Sequence, residues 1–306
     1  MRYPAVAFAS FALGLCLAST PPAAAATEVH ALDRSDGSHI TFQVRRGDNV
    51  ARQGAILFLH GSGCEPVGSD ARFVATAMGI APGHAVVTVE SYGVPPDGPQ
   101  AELIEGCTAA YWERNTLQQR VVDAAQVIAR LRQASWWNGR IVIMGASEGG
   151  AVAAMLAPLV PETAAVIVLS SGIGVPVGEL IRAAVPAPVA SEAPRIFAEA
   201  RANPTGQRRW GGASYRWWAD AVGVTPAVML LQTSAPILLI HGTRDQFAPV
   251  ATARATRDLL ARQGRANLTY REYDGYDHFM RDERGVDRRP EVLGEAAAWL
   301  DRQGAR

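Results

Sequence analysis

The chain has 306 residues, of which 48% are apolar, enough to build one large α/β domain or two small ones. Its 29 basic and 29 acidic residues cancel to a formal net charge of zero, which argues against a nucleic-acid partner, because such a partner calls for a basic face. All 29 basic residues are arginine, which reads as codon bias in a GC-rich genome rather than as a function.

The chain opens on what reads as a secretory signal peptide, residues 1–26. Arg2 supplies a positive start, residues 5–17 are apolar but too short for a comfortable membrane span, and residues 23–26 offer A-x-A cleavage sites. Leu15 before Cys16 is too bulky for the usual lipoprotein cleavage site, and no later stretch is long and apolar enough to cross a bilayer. The mature chain, residues 27–306, is therefore expected to be exported, soluble and without a stable membrane anchor. It keeps two cysteines, Cys64 and Cys107. In an oxidising compartment these are expected to pair, the alternative being two separate buried thiols.

Residues 29–32 and 40–45 alternate like strands around the turn Ser35-Asp36-Gly37, where Asp-Gly signals a hairpin. Residues 54–60 form a continuous apolar run, as a strand covered on both faces does, and end in His60-Gly61-Ser62-Gly63-Cys64. A helix over 70–78, a strand over 85–90, a long loop over 91–106 and one long helix over 108–133 follow. The stretch 141–150, Ile-Val-Ile-Met-Gly-Ala-Ser-Glu-Gly-Gly, reads as a buried strand, a cramped turn carrying Ser147, and a helix start. The spacing G-x-S-x-G recurs by chance; its weight comes from the strand before it and the small-residue helix after it, the context of a nucleophile elbow. Strands at 164–169, 235–240 and 268–273 and helices at 249–262 and 290–303 complete the alternation, so a mostly parallel central sheet with helices on both faces is expected. Residues 173–233 are longer than one crossover needs and read as a small helical cap insertion, rich in proline and then in Trp210, Tyr215, Trp217 and Trp218.

Four pieces now stand in order: His60-Gly61-Ser62-Gly63, Gly145-x-Ser147-x-Gly149, His241-Gly242-Thr243-Arg244-Asp245 and Gly275-Tyr276-Asp277-His278. Together they resemble the α/β-hydrolase superfamily, nearest in wording to its dienelactone-hydrolase and prolyl-peptidase-like branches, from about Gly54 onward. The resemblance implies an α/β-hydrolase fold and a serine hydrolase in which Ser147 is the nucleophile, His278 the base and Asp245 the acid that orients it. It also implies an oxyanion hole built from the Glu148 N–H and one N–H of Ser62 or Gly63. Asp274 and Asp277 compete with Asp245 for the acid role, but they share a short loop with His278 and would have to fold back sharply. His60 and His241 are expected to make local structural hydrogen bonds, and the Glu148 side chain likewise. Trp217 and Trp218 either line a substrate pocket or pin the cap to the body. No metal-ligand spacing and no phosphate-binding glycine loop is present, so no cofactor or metal is expected. The expected substrate is a small-molecule ester. An amide or peptide substrate, and a non-catalytic binding role on the same scaffold, stay open. Oligomeric state leaves no mark in the sequence.

Overall fold

The computed structural model describes residues 27–47, 52–68, 70–98 and 106–305, with Phe73 described by its backbone alone. The expected signal peptide, residues 1–26, lies outside them. The first strands, β1 (Thr27–Asp33) and β2 (His39–Arg45), form an antiparallel hairpin. Then come β3 (Gln53–Leu59), helix α1 (Ala71–Ile80), β4 (Ala85–Val89), α2 (Ala109–Arg114), α3 (Leu117–Leu131), β5 (Trp137–Ala146) and α4 (Glu148–Leu156). After β6 (Thr163–Leu169) the chain makes α5 (Val177–Ala184), α6 (Ala187–Ala202), the short strands β7 (Arg209–Trp210) and β8 (Ala213–Ser214), α7 (Tyr215–Ala221) and a 3-10 segment, Pro226–Gln232. It returns to the sheet with β9 (Ile237–Gly242), α8 (Val250–Arg262), β10 (Leu268–Tyr273) and α9 (Arg289–Arg302).

The main sheet has eight strands in the order β1-β2-β4-β3-β5-β6-β9-β10. From β4 to β10 every neighbouring pair is parallel, while β2 pairs antiparallel with both β1 and β4. This is the α/β-hydrolase fold. The period-2 alternation of each central strand feeds two cores. Leu57 and Leu59 of β3 and Ile141 and Ile143 of β5 join the face covered by α3 and α4. Ile56 and Phe58, with Val142 and Met144, join the face covered by α1 and α9.

One element differs from the sequence reading. The helix expected over 108–133 is two helices, α2 and α3. Asn115 is extended, and the Thr116 hydroxyl accepts the Gln119 N–H at 3.1 Å as an N-cap, so the side chain that starts α3 also ends α2. The segment after β6 is joined to the body by apolar contacts. Its apolar residues, among them Phe197, Trp217, Trp218 and Leu230, belong to the same cluster as Leu117, Val121 and Val152 of the body. The insertion is built onto the core face of α3 and α4.

The expected cysteine pair is a disulfide, Cys64–Cys107, with Cα atoms 5.5 Å apart. It joins the loop after β3 to the residue just before α2. Among the described residues no helix is long and apolar enough to cross a membrane.

Candidate active site

All the residues singled out by the motifs sit at the C-terminal ends of parallel strands, where an open α/β sheet collects its loops. Ser147 stands between β5 and α4 with φ 52° and ψ −124°. A non-glycine residue there costs about 1–3 kcal/mol, which the surrounding packing must enforce. The two motif glycines show how. A Cβ on Gly145 would lie 2.0 Å from the Gly149 carbonyl oxygen, and one on Gly149 would lie 2.0 Å from the Leu59 carbonyl oxygen. The turn is pressed against itself and against the end of β3, and only hydrogen fits at either position.

His278 follows β10, and Asp245 follows β9. The His278 Nδ1 lies 2.8 and 3.0 Å from the two Asp245 oxygens, and its Nε2 lies 3.1 Å from the Ser147 Oγ. An ionised carboxylate only accepts, so the ring proton sits on Nδ1 and Nε2 is free to take the serine proton. Asp245 is held from three further sides. Its Oδ1 accepts the Phe247 and Ala248 N–H groups at 2.9 and 2.8 Å, and the His241 Nε2 stands 3.4 Å from its Oδ2. His241 is fully buried, and burial holds its imidazole below the ordinary range. It is therefore neutral, and its Nε2–H donates to the Ala248 carbonyl at 2.7 Å. Neither competing acid reaches His278. Asp274 accepts from the Thr243 hydroxyl at 3.0 Å, and Asp277 accepts the Phe279 and Arg281 N–H groups of its own loop at 2.9 and 2.8 Å.

The opposite wall is organised by a residue that the motifs do not contain. Arg120, on α3 and nearly buried, donates to the Glu148 Oε1 at 2.8 Å, the His60 carbonyl at 2.6 Å and the Gly61 carbonyl at 3.4 Å. In a trans peptide the C=O and N–H point in opposite directions. Holding the carbonyls of His60 and Gly61 on Arg120 therefore aims the N–H groups of Gly61 and Ser62 away from it. Gly61 lies directly against Ser147; a Cβ there would meet the serine Cβ at 3.2 Å. Glu148 opens α4, so its own N–H has no intrahelical acceptor and carries the helix's partial positive charge.

The two loop candidates for the oxyanion, Ser62 and Gly63, differ in their engagement. The Gly63 N–H is donated to the Tyr111 hydroxyl at 3.3 Å, so this amide is already engaged. Burial, with the Glu148 charge nearby, pushes the Tyr111 phenol up to about 12 and keeps it protonated. Tyr111 also packs beside Cys64 and Trp112, so the disulfide and this hydrogen bond fix the same loop. A little further along, Glu90 at the end of β4 accepts the Val67 and Gly68 N–H groups at 2.8 and 2.9 Å. Burial outweighs these two donors and pushes its carboxyl up to about 7.

The packing also decides the reading of Trp217 and Trp218. They are 8% and 1% exposed, and Trp218 stacks among Phe197, Trp210 and Trp217 at ring separations of 4.8–5.3 Å while its Nε1 donates to the Trp210 carbonyl. Phe197 and Trp210 close around Trp218, Trp217 packs edge-on against it, and both belong to the buried cluster shared with the body. They pin the insertion to the body. The exposed aromatics of the site are others: Phe247 and Phe279, 61% and 50% exposed, both in contact with the His278 ring and with each other. Lone aromatics in two separate loops gave no pattern to read. Arg120 was hidden because an arginine on an amphipathic helix ordinarily reads as surface. No group of three or more His, Cys, Asp or Glu side chains among the described residues is placed to hold a metal ion.

A serine on a strained strand-to-helix turn, backed by a histidine and an acid from the next strand ends, belongs to the serine hydrolases of the α/β-hydrolase superfamily. Within it, residues 109–305 match the Prolyl oligopeptidase family, and the chain belongs to that family. No curated protein matches the chain significantly. Among solved structures the fold is similar to Est1E from Butyrivibrio proteoclasticus, with a TM-score of 0.64, 16% identity, and 91% of this chain and 99% of that one covered. It is also similar to a puromycin-hydrolyzing peptidase of Mycobacterium tuberculosis (TM-score 0.64, 18% identity), where 94% of this chain covers 41% of the other. The acylaminoacyl peptidase of Pyrococcus horikoshii gives a TM-score of 0.61 at 14% identity, with 90% of this chain covering 42% of the other.

Proposed function

We propose that this serine hydrolase cleaves carboxylic esters through an acyl-enzyme, with Ser147 as nucleophile, His278 as base and then acid, and Asp245 as the orienting acid. The observation that carries the reading is the unbroken hydrogen-bonded chain from Ser147 Oγ through both nitrogens of His278 to Asp245. In the first half-reaction the Ser147 oxygen attacks the ester carbonyl as His278 Nε2 takes its proton. The Glu148 N–H, with the Ser62 N–H aimed by Arg120, holds the oxyanion. Collapse breaks the ester bond, and His278 returns the proton to the departing alcohol. Water then repeats the sequence and frees the acid and Ser147.

The ester is favoured over a peptide with a free amino terminus by the carboxylates around the triad. Such a substrate needs an acid to receive its ammonium group. Among the described residues, Glu148 is committed to Arg120, Asp274 to Thr243 and Asp277 to its own loop. The family membership keeps an amidase as the second reading. Steady-state kcat/KM on short-chain aryl esters and on aminoacyl anilides separates the two. Esters faster by several orders of magnitude are expected, and comparable or better anilide turnover would overturn the preference. We also propose export with cleavage of residues 1–26; the disulfide, a bond that persists in oxidising compartments, supports it.

A further inference from the structure

Two phenylalanines stand in water where the site's polar residues would suffice for the chemistry. The Phe247 ring centroid lies 5.1 Å from the His278 imidazole with an interplanar angle of 63°, and the Phe279 centroid lies 5.3 Å away at 89°. The two phenyl rings are 6.0 Å apart. They make an apolar lip on the imidazole itself.

The rings touch each other and His278, and the Arg281 guanidinium lies 5.5 Å from the Phe279 ring, while polar contacts hold the backbone of each loop. Phe247 sits in a turn whose N–H is taken by Asp245 Oδ1 at 2.9 Å. The Phe279 N–H is taken by Asp277 Oδ1 at 2.9 Å, and the next residue, Met280, is 1% exposed with φ 57°, a buried anchor that turns the chain. Both loops are stapled by carboxylates that leave the aromatic ring as the outward group. A loop whose backbone is already fixed loses less conformational freedom when a ligand covers its side chain.

The side of the scissile bond follows from the proton path. The group that His278 must protonate is the departing alcohol oxygen, which has to come within hydrogen-bond reach of Nε2. The oxyanion sits on the other side, at Glu148 and the Arg120-held loop. A group that flanks the imidazole therefore touches the alcohol half of the ester.

We infer that Phe247 and Phe279 form the subsite for the leaving alcohol, and that the enzyme selects esters of alcohols carrying an aromatic or bulky apolar group. The inference rests on the ester-hydrolase reading above. It makes these two residues determinants of alcohol specificity and leaves acyl selection to other parts of the site.

The test uses the full chain and two substrate series. The first compares 2-phenylethyl acetate with ethyl acetate, whose alcohols differ in apolar bulk and little in leaving-group acidity. The second compares p-nitrophenyl acetate, butyrate and hexanoate. Wild type is expected to prefer 2-phenylethyl acetate in kcat/KM. Phe247→Ala combined with Phe279→Ala should cut that preference about ten-fold, a change ordinary for one lost apolar contact surface, while ratios along the acyl series move less than two-fold. Phe279→Leu, which keeps an apolar side chain, should retain part of the preference. An unchanged alcohol ratio in both the double variant and the leucine variant overturns the inference, as does a shift confined to the acyl series. Turnover of p-nitrophenyl acetate against an aminoacyl anilide by wild type separates the two levels. Anilide turnover equal to or better than ester turnover removes the ester reading and this inference with it, whereas dominant ester turnover with an unchanged alcohol ratio removes this inference alone.

Discussion

The strand-end loops around Ser147 and the aromatic cluster of the insertion are both tightly fixed, yet by opposite means. Around Ser147 the fixing is polar. Asp245 takes two backbone amides as well as His278, Arg120 holds two carbonyls, and Asp277 closes its own loop. In the insertion it is apolar: Phe197, Trp210, Trp217 and Trp218 stack in one group, with one indole hydrogen bond from Trp218. The difference separates what a residue does for rate from what it does for stability. Hydrogen bonds exchanged with water contribute little net stability but set direction closely. Buried aromatic area contributes stability and sets direction loosely.

The largest effect that tests this division is on rate. Asp245→Asn keeps the shape but lets the wrong imidazole tautomer form, which in a serine triad costs about 10⁴-fold in kcat. Asp274→Asn and Asp277→Asn should stay within about ten-fold of wild type, since neither carboxylate touches His278. The comparison is kcat on a single aryl ester, with circular dichroism to check folding. If Asp245→Asn is near wild type and a neighbour collapses, the acid has been misassigned.

Next in size is Trp218→Ala. Truncating a tryptophan that is 1% exposed should cost about 3–5 kcal/mol of stability, read from urea unfolding. The ratio of kcat/KM values across acyl lengths should hardly move in the folded fraction. A large selectivity change with little loss of stability would return this residue to the substrate pocket and erase the contrast between the two regions.

The smallest effect belongs to the polar side of the comparison, at Glu90, whose carboxylate holds the loop after β3. Its carboxyl titrates at about 7 in the folded chain, above its ordinary 4.5, so the folded state binds the extra proton between those values. Stability attributable to this group is then full below pH 4.5, falls as pH rises through the window and is flat above 7. The total is about 3 kcal/mol. The buried His60 and His241 have lowered values and act in the opposite sense, so the reading must be a difference. Glu90→Gln should gain on wild type steadily from pH 4.5 to 7. A pH-independent difference would contradict the shift.

Much of this was legible in the sequence wherever backbone geometry dictates residue type. Gly145 and Gly149 had to be glycine because carbonyl oxygens occupy the space of a Cβ, and that necessity shows as a motif. Continuous apolar runs marked the central strands because both faces are covered. What was not legible depends on contacts between distant segments. Arg120 looks like any arginine of an amphipathic helix until α3 is packed against the loop of His60. The engagement of Gly63 by Tyr111 required the break between α2 and α3, which the helical periodicity concealed. The tryptophan pair left two readings open for the same reason: a cluster of aromatics reads alike whether it faces a ligand or Phe197.

The most direct test of the central claim is covalent. A fluorophosphonate puts phosphorus on the attacking oxygen with loss of fluoride and so reports an activated serine independently of substrate choice. Intact-mass and peptide mapping of the folded protein should find a single adduct, on Ser147, absent from Ser147→Ala and strongly slowed in His278→Ala. No adduct on the folded wild-type protein, or an adduct on another serine, would contradict the assignment of Ser147 as the nucleophile.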